Sequence, residues 1–328
     1  MTRTLRFLAD RLTSLGYRYP VDVLDDVLTM TRIGGGVSGR LTARAPWGLH
    51  FDGGGAANFH IVVRGECWLR LDGDTEPVHL REGDVTLLPD GAPYCAADRP
   101  GRAAVPFTGV LAAHDHPNTA SVGGAGAETV IICGVYDFGA GLTHPLLSAL
   151  PRLLHLPAPH ATYGGPLGSA VRLLAAELDR PGPGARGVTA RLVDVLLVYI
   201  LRAWQEQHGP PASGWFGALR DPRIGRALTL MHQAPGHRWT VARLAAATGL
   251  SRAAFARRFV TLAGEPPLAY LTRWRMITAA VLLKEGAEPL SVIAGRVGYE
   301  SEFAFARAFR RAHGQSPGRY RAQARPRP

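Results

Sequence analysis

Two arginines fifty residues apart occupy the same slot of a repeated pattern. "FARRFVTLAGEPPLAY" runs from Phe255 to Tyr270, and "FARAFRRAHGQSPGRY" from Phe305 to Tyr320. In each copy Phe-x-Arg-x-Phe is followed by Gly, Pro and Tyr at the same intervals, which aligns Arg257 with Arg307. A guanidinium is a rigid fork of donors that can hold guanine O6 and N7 bidentately or grip a phosphate. A repeat at a fixed offset means one structural unit used more than once, and two copies fall short of the roughly three that a solenoid needs.

The elements that position these arginines are legible upstream. "LAAATGLSRAAF" (Leu244 to Phe255) and "IAGRVGYESEFAF" (Ile293 to Phe305) align Leu244 with Ile293, Ala245 with Ala294 and Gly249 with Gly298. Each copy reads as a helix, a glycine turn permitting positive φ, an apolar plug (Leu250 or Tyr299), then a serine N-cap (Ser251 or Ser301) opening a second helix. This is a helix-turn-helix, with recognition helices expected at about 251–262 and 301–313. Phe255, Phe259 and Leu262, like Phe305, Phe309 and Ala312, fall at i, i+4, i+7 and are expected in the core. The opposite faces carry Arg252, Ala253, Ala256 and Arg257, then Glu302, Phe303, Ala306 and Arg307. Glu302 is a candidate acceptor from cytosine N4, while Arg258, Arg310 and Arg311 suit phosphates or solvent. Pro267 to Gly286 reads as a connecting helix of roughly 16 helical residues, about 24 Å long. Two readers on such a strut are expected to enter adjacent major grooves, about 34 Å apart.

Charge agrees with that placement. Of 37 Lys+Arg and 26 Asp+Glu, 19 basic and 6 acidic residues lie from Phe216 onward, leaving 18 against 20 before it. Arginine-rich coding, with Lys284 the only lysine, accounts for Arg in place of Lys but not for this segregation. A basic third on a near-neutral remainder points to a polyanion partner for the C-terminal part.

A second set of chemically capable residues lies in the N-terminal two-thirds. "NFHIVVRGECWLRLDG" and "VHLREGDVTLLPDGAPYCAA" alternate apolar and polar residues between Gly-Asp and Pro-Asp-Gly turns, which favours an antiparallel barrel or sandwich. These strands resemble a cupin-type domain, and the resemblance implies that a metal-dependent member would offer a His-x-His pair, a carboxylate and a later histidine converging on one ion. His60 has no second histidine two residues on, Glu66 lies past a turn glycine, and Tyr94 stands where the last ligand is expected. No metal or other cofactor is therefore indicated, and His60 is expected in the core or lining a pocket. His60, Trp68 and Tyr94 are the candidate effector-binding residues. Cys67, Cys95 and Cys133 have no CxxC spacing; they leave open a thiol redox sensor, which needs thiolate character and access. "LVDVLLVYILRAW" is too short and too charged to span a bilayer. The N-terminus lacks a secretory hydrophobic run, so a cytoplasmic location is expected.

From about Asp221 to Arg321 the chain resembles the AraC/XylS family of transcription regulators, most specifically in its doubled Gly-x-x-Pro and in "GYESEFAFARAFRRAHGQSPGRYR". "FHIVVRGECWLRLDG…LREGDVTLLPDGAPY" resembles the cupin-type sensor domain of one subgroup, and "CGVYDFGAGLTHPLLSALPRLLHL" is similar to that domain's exit. The resemblance implies base-facing positions at Ala253, Arg257, Phe303 and Arg307. It also implies an α+β multidomain fold: an N-terminal cupin-like antiparallel β-barrel plus helices, then an all-α domain with two helix-turn-helix units. The expected division is a sensor domain at 1–156, a helical dimerisation segment at 157–208, a linker at 209–217 and the DNA-binding domain at 218–328. Expected partners are double-stranded DNA, a small-molecule effector, RNA polymerase and a second copy of the chain, with no membrane. The competing reading is a cupin metalloenzyme carrying a nucleic-acid-binding tail.

Overall fold

The computed structural model describes residues 23–24, 26–27, 34–112, 119–137, 150–158, 165–208 and 215–324. The N-terminal stretch read for a secretory signal (1–16), part of the Cys133–Leu156 exit segment and residues 209–214 of the linker therefore lie outside the described residues. The strands are β1 (Gly34–Arg44), β2 (Gly48–Phe51), β3 (Ala57–Arg64), β4 (Glu66–Leu71), β5 (Val78–Arg81) and β6 (Val85–Leu88). They continue with β7 (Tyr94–Ala97), β8 (Val105–Pro106), β9 (Thr119–Gly123), β10 (Glu128–Asp137) and β11 (Leu154–Leu156). One sheet runs β11-β6-β3-β10-β1-β9 and the other β5-β4-β7-β2-β8.

Of the barrel and sandwich forms expected for a cupin-like domain, the described residues take the sandwich: two separate sheets packed face to face. Among the described residues no strand pairing joins them, and the edge pairs β1–β9 and β2–β8 are parallel. Strand β3 shows why the larger sheet stays open and flanked. Its "FHIVV" run buries Phe59 and Ile61 on one face and His60 and Val62 on the other. The second of these faces meets Leu49, Leu69 and Tyr94 of the smaller sheet. The first meets two helices, α2 (Pro166–Asp179) and α3 (Ala185–His208), which follow the short α1 (Phe107–Ala112). A continuous apolar run marks a strand covered on both faces, whereas strict alternation would leave one face wet.

The stretch 209–217 is not linker throughout. Trp215 begins a helix, α4 (Trp215–Arg220), and both Trp215 and Phe216 are buried, with Phe216 5.9 Å from Trp204 of α3. Proline and glycine mark a boundary there, but two large aromatics dominate by the apolar area they remove from water. Helix α5 (Pro222–Gln233) then starts as its sequence dictates, with Asp221 accepting from the Arg223 and Ile224 amides and proline in the first turn.

Seven elements make up the repeat region: α5 is followed by α6 (Val241–Ala247), α7 (Arg252–Ala263), α8 (Pro267–Glu285), α9 (Leu290–Arg296), α10 (Glu302–His313) and α11 (Pro317–Ala324). Helix α8 has 19 residues rather than the roughly 16 expected, about 28 Å of rise. It belongs to two cores. Tyr270, Leu271, Trp274 and Ile277 pack with Phe255 and Phe259 of the first unit. Met276, Ala279, Ala280 and Leu283 pack with Ile293, Phe305 and Phe309 of the second.

Both turns are built alike: Leu250 N–H donates to the Ala245 carbonyl (3.0 Å) and Tyr299 N–H to Ala294 (2.8 Å). Gly249 and Gly298 hold φ of +68° and +81°. Their surroundings differ. A Cβ on Gly249 would meet nothing within 4 Å, whereas one on Gly298 would lie 2.6 Å from the Arg275 guanidinium and 2.9 Å from the Gly236 carbonyl. Gly249→Ala is therefore expected to cost about 1–2 kcal/mol from the left-handed backbone alone, and Gly298→Ala more, from added crowding. Chemical denaturation of both variants checks this; equal losses would show that the contact with Arg275 relaxes freely.

Candidate nucleic-acid interface

Each recognition helix is fixed at both ends by its own sequence. Ser251 Oγ accepts from Ala254 N–H (3.2 Å) and Ser301 Oγ from Ala304 N–H (3.4 Å). Gly264 and Gly314 close α7 and α10 in left-handed conformations. Phe255, Phe259, Phe305 and Phe309 are buried as expected, Leu262 also, and Ala312 packs partly buried beside the second core. That leaves Arg252, Ala253 and Arg257 exposed on α7, and Glu302, Phe303 and Arg307 exposed on α10, with Ala256 and Ala306 half-buried between. Phe303 is 84% exposed. An aromatic so placed at a helix start contributes nothing to the core and presents an apolar surface outward.

Arg258, assigned in sequence to phosphate or solvent, is instead engaged internally. Its Nε donates to Asp221 Oδ2 at 2.7 Å, which ties α7 to the start of α5. Burial alone would raise the Asp221 pKa, but the Arg258 guanidinium and the Ile224 and Arg223 amides outweigh it and hold the carboxyl below its usual range. Arg310 and Arg311 stay exposed in the last turn of α10. The two units are further joined by residues that the sequence did not single out. Arg275 of α8 donates to the carbonyls of Pro235 (2.7 Å) and His237 (2.9 Å), and Arg238 pairs with Glu300. No local pattern marks these residues, because each contact spans about forty to sixty positions.

The sensor candidates are only partly brought together. His60 and Tyr94 meet between the sheets: His60 Nε2 lies 2.6 Å from Tyr94 Oη, and its Nδ1 3.2 Å from Cys133 Sγ. Burial lowers the His60 pKa to about 4 and raises that of Tyr94 well above its usual value. The neutral pair is satisfied when the phenol donates to Nε2 and Nδ1–H donates to sulfur. Both ring nitrogens are thus engaged by protein, which suits a core histidine and not an interior metal ligand. Trp68 does not join them. It alternates away from the buried Cys67 and Leu69 and stacks on His79 at 4.3 Å, as the two-residue period of β4 requires. Cys67 and Cys133 are pushed up to about 12 by burial, so both are held as thiols; Cys95 is half-buried. A redox mechanism through Cys67 and Cys133 lacks the thiolate it needs.

A two-layer β-domain with flanking helices, followed by paired helix-turn-helix units around a shared helix, defines a DNA-binding regulator. Comparison with known proteins agrees. A family model described as "Cupin" matches residues 22–206, and one described as "Helix-turn-helix domain" matches 244–323. A protein of Streptomyces antibioticus described as an AraC-like transcription regulator is 37% identical over 310 residues, covering 93% of this chain and all of its own. A like-named protein of Streptomyces lividans is 37% identical, covering 92% and 98%. The HTH-type transcriptional regulator AlkR of Acinetobacter baylyi is 32% identical, covering 84% and 91%. The chain belongs to the AraC-like transcription regulators, with a cupin domain and a helix-turn-helix domain of the type that binds double-stranded DNA. These names point away from an enzyme, and the metalloenzyme reading is not favoured. Among the described residues no helix is long and apolar enough to cross a membrane.

Two outcomes are expected. Asp221→Ala should cost roughly 1–2 kcal/mol at neutral pH, as loss of a helix cap does. The depressed carboxyl contributes its stability above about pH 4 and loses it as pH falls through the lower folded value, so the deficit should shrink in acid denaturation curves. A thiol reagent should label Cys95 in the native protein, but Cys67 and Cys133 only after unfolding; rapid native labelling of either buried thiol would contradict their assignment.

Proposed function

We propose that α7 and α10 read a two-part DNA site by entering successive major grooves on one side of the duplex, with Arg257 and Arg307 as paired base-reading residues. The observation that supports this most strongly is the shared environment of the two arginines. Both lie six residues, nearly two turns, past a serine cap, both are exposed, and both oppose a buried phenylalanine pair. Ala253 and Ala256, with Ala306, let the helix backbone approach the base edges closely, and Arg252 is placed for a neighbouring phosphate. Glu302 suits a cytosine amino group or the N-terminal dipole of its own helix. Phe303 is the group for a thymine methyl, since an exposed aromatic gains most where it displaces water from an apolar patch.

The β-domain, extending to about residue 156, and the helical segment to 208 act as the controlling part of the chain, responding to a small molecule. Helix α3 supports self-association. It buries Val193, Leu196, Leu197, Ile200 and Leu201 inward while Val188 and Val195, one i,i+7 step apart, stay 43% and 42% exposed on another face. A dimer in the cytoplasm, acting with RNA polymerase at a promoter, completes the reading.

Binding to a selected site, measured beside binding to random duplex, tests the arginine roles. Arg257→Ala or Arg307→Ala should weaken the specific complex by about 1–3 kcal/mol and relax preference at one base pair. Phe303→Ala should act only where thymine is preferred. Equal losses on specific and random DNA would assign the arginine to phosphate instead.

A further inference from the structure

Outside both the interface and the interior histidine network, the smaller sheet carries a cluster with mixed donors. One atom each of His50, Asp72 and Cys95 lies within 4.8 Å of the other two. His50 and Cys95 are direct partners across β2 and β7, and Asp72 follows the last residue of β4, its N–H donating to the Pro93 carbonyl at 3.0 Å. The neighbours in sequence, Leu49 and Phe51 on β2 and Tyr94 and Ala96 on β7, pack into the core between the sheets. Strand alternation therefore places His50 and Cys95 on the opposite face, where all three donors are half-buried and reachable.

We propose that His50 Nε2, the Asp72 carboxylate and the Cys95 thiolate form a site for a divalent metal of the zinc class, with the fourth tetrahedral position left to water or a small ligand. The spacing fits. Tetrahedral zinc bonds hold nitrogen and oxygen about 3.3 Å apart and sulfur and nitrogen about 3.6 Å apart. His50 Nε2 and Asp72 Oδ2 stand at 3.0 Å, so a metal replaces their shared proton with a shift of about 0.3 Å. The orienting partner is already present: Asp52 Oδ1 lies 3.1 Å from His50 Nδ1, giving the carboxylate–histidine–metal arrangement that fixes the ring tautomer.

Charge favours a dication over a simple ion pair. Among the described residues the ion pairs of Asp52 and Asp72 run only to His50. Arg70, the β4 partner of Cys95, offsets one of the two carboxylates, so the negative excess belongs to the state with the ring neutral and the thiol ionised, as a bound metal requires. Binding releases the Cys95 thiol proton and any proton on His50 Nε2, and no oxidant or reductant is involved. Metal here would pin β2 to β7 from outside. Inside, the adjacent residues Phe51 and Tyr94 stack at 4.5 Å, and Tyr94 bonds His60, so the site bears directly on the strands that hold that network. This assignment is independent of the DNA-reading roles given to α7 and α10.

The test uses the full chain, stripped of metal by a chelator under reducing conditions and titrated with Co(II) alone as a spectroscopic stand-in. One equivalent should bind with tetrahedral visible bands and a sulfur-to-cobalt charge-transfer band in the near ultraviolet, and equimolar Zn(II) should bleach both. Cys95→Ser should remove the charge-transfer band, and His50→Ala and Asp72→Asn should weaken binding. Asp52→Asn should keep the band but lower affinity by about 10–100-fold, as loss of an orienting carboxylate does. Cys133→Ser should change nothing. No thiolate band in the parent protein, a band that survives in Cys95→Ser, or one that vanishes in Cys133→Ser would each overturn the assignment. Circular dichroism of every variant separates loss of the site from loss of the fold.

Discussion

Helix α8 is the constraint on which the reading apparatus depends. Its N-terminal half is buried in the core that carries α7, and its C-terminal half in the core that carries α10. A helix packed at both ends cannot bend without opening one core, since interiors are close-packed and large-to-small gaps cost kcal/mol each. The hydrogen bonds of Arg275 to the 235–237 loop and the Arg238–Glu300 pair brace the same joint from the side. One chain thereby holds two reading helices at a set separation, which otherwise takes two subunits of a symmetric dimer.

The two cores are not equal partners. The one containing the first unit continues through α4 and α3 to the helix-covered face of the larger sheet. His232 of α5, stacked on Trp274 of α8, also lies 3.5 Å from Asp26 near the N-terminus. The second unit has its own smaller core and touches the rest of the chain mainly through α8. A signal that changes the β-domain thus meets the first reading helix through packed side chains, and the second through the strut.

Much of this was readable from the sequence, and the reasons are local. The serine caps, turn glycines, i,i+4,i+7 phenylalanines and Gly-x-x-Pro steps each act within one or two helical turns, so spacing alone located both units and their exposed faces. The N-terminal domain was harder. "FHIVV" looks the same whether a strand sits in a barrel or between a sheet and helices, and the choice between those depends on partners far along the chain. Trp68 was misplaced for a related reason: β4 alternates cleanly, but which phase faces inward is settled by its neighbours. Trp215 and Phe216 were hidden by the prolines and glycines around them. The cluster of His50, Asp72 and Cys95 draws on β2, β7 and the turn that leaves β4, and only the strand register brings the donors together.

The rigidity of the strut is most directly measured by changing the DNA instead of the protein. From a site obtained by selection, the two contacted segments are moved apart by inserting five base pairs, about half a helical turn, and affinity is compared with that of a single segment. A fixed separation predicts that the expanded site binds no better than one segment alone. Undiminished affinity for the expanded site would contradict it, because the two reading helices would then have to move independently.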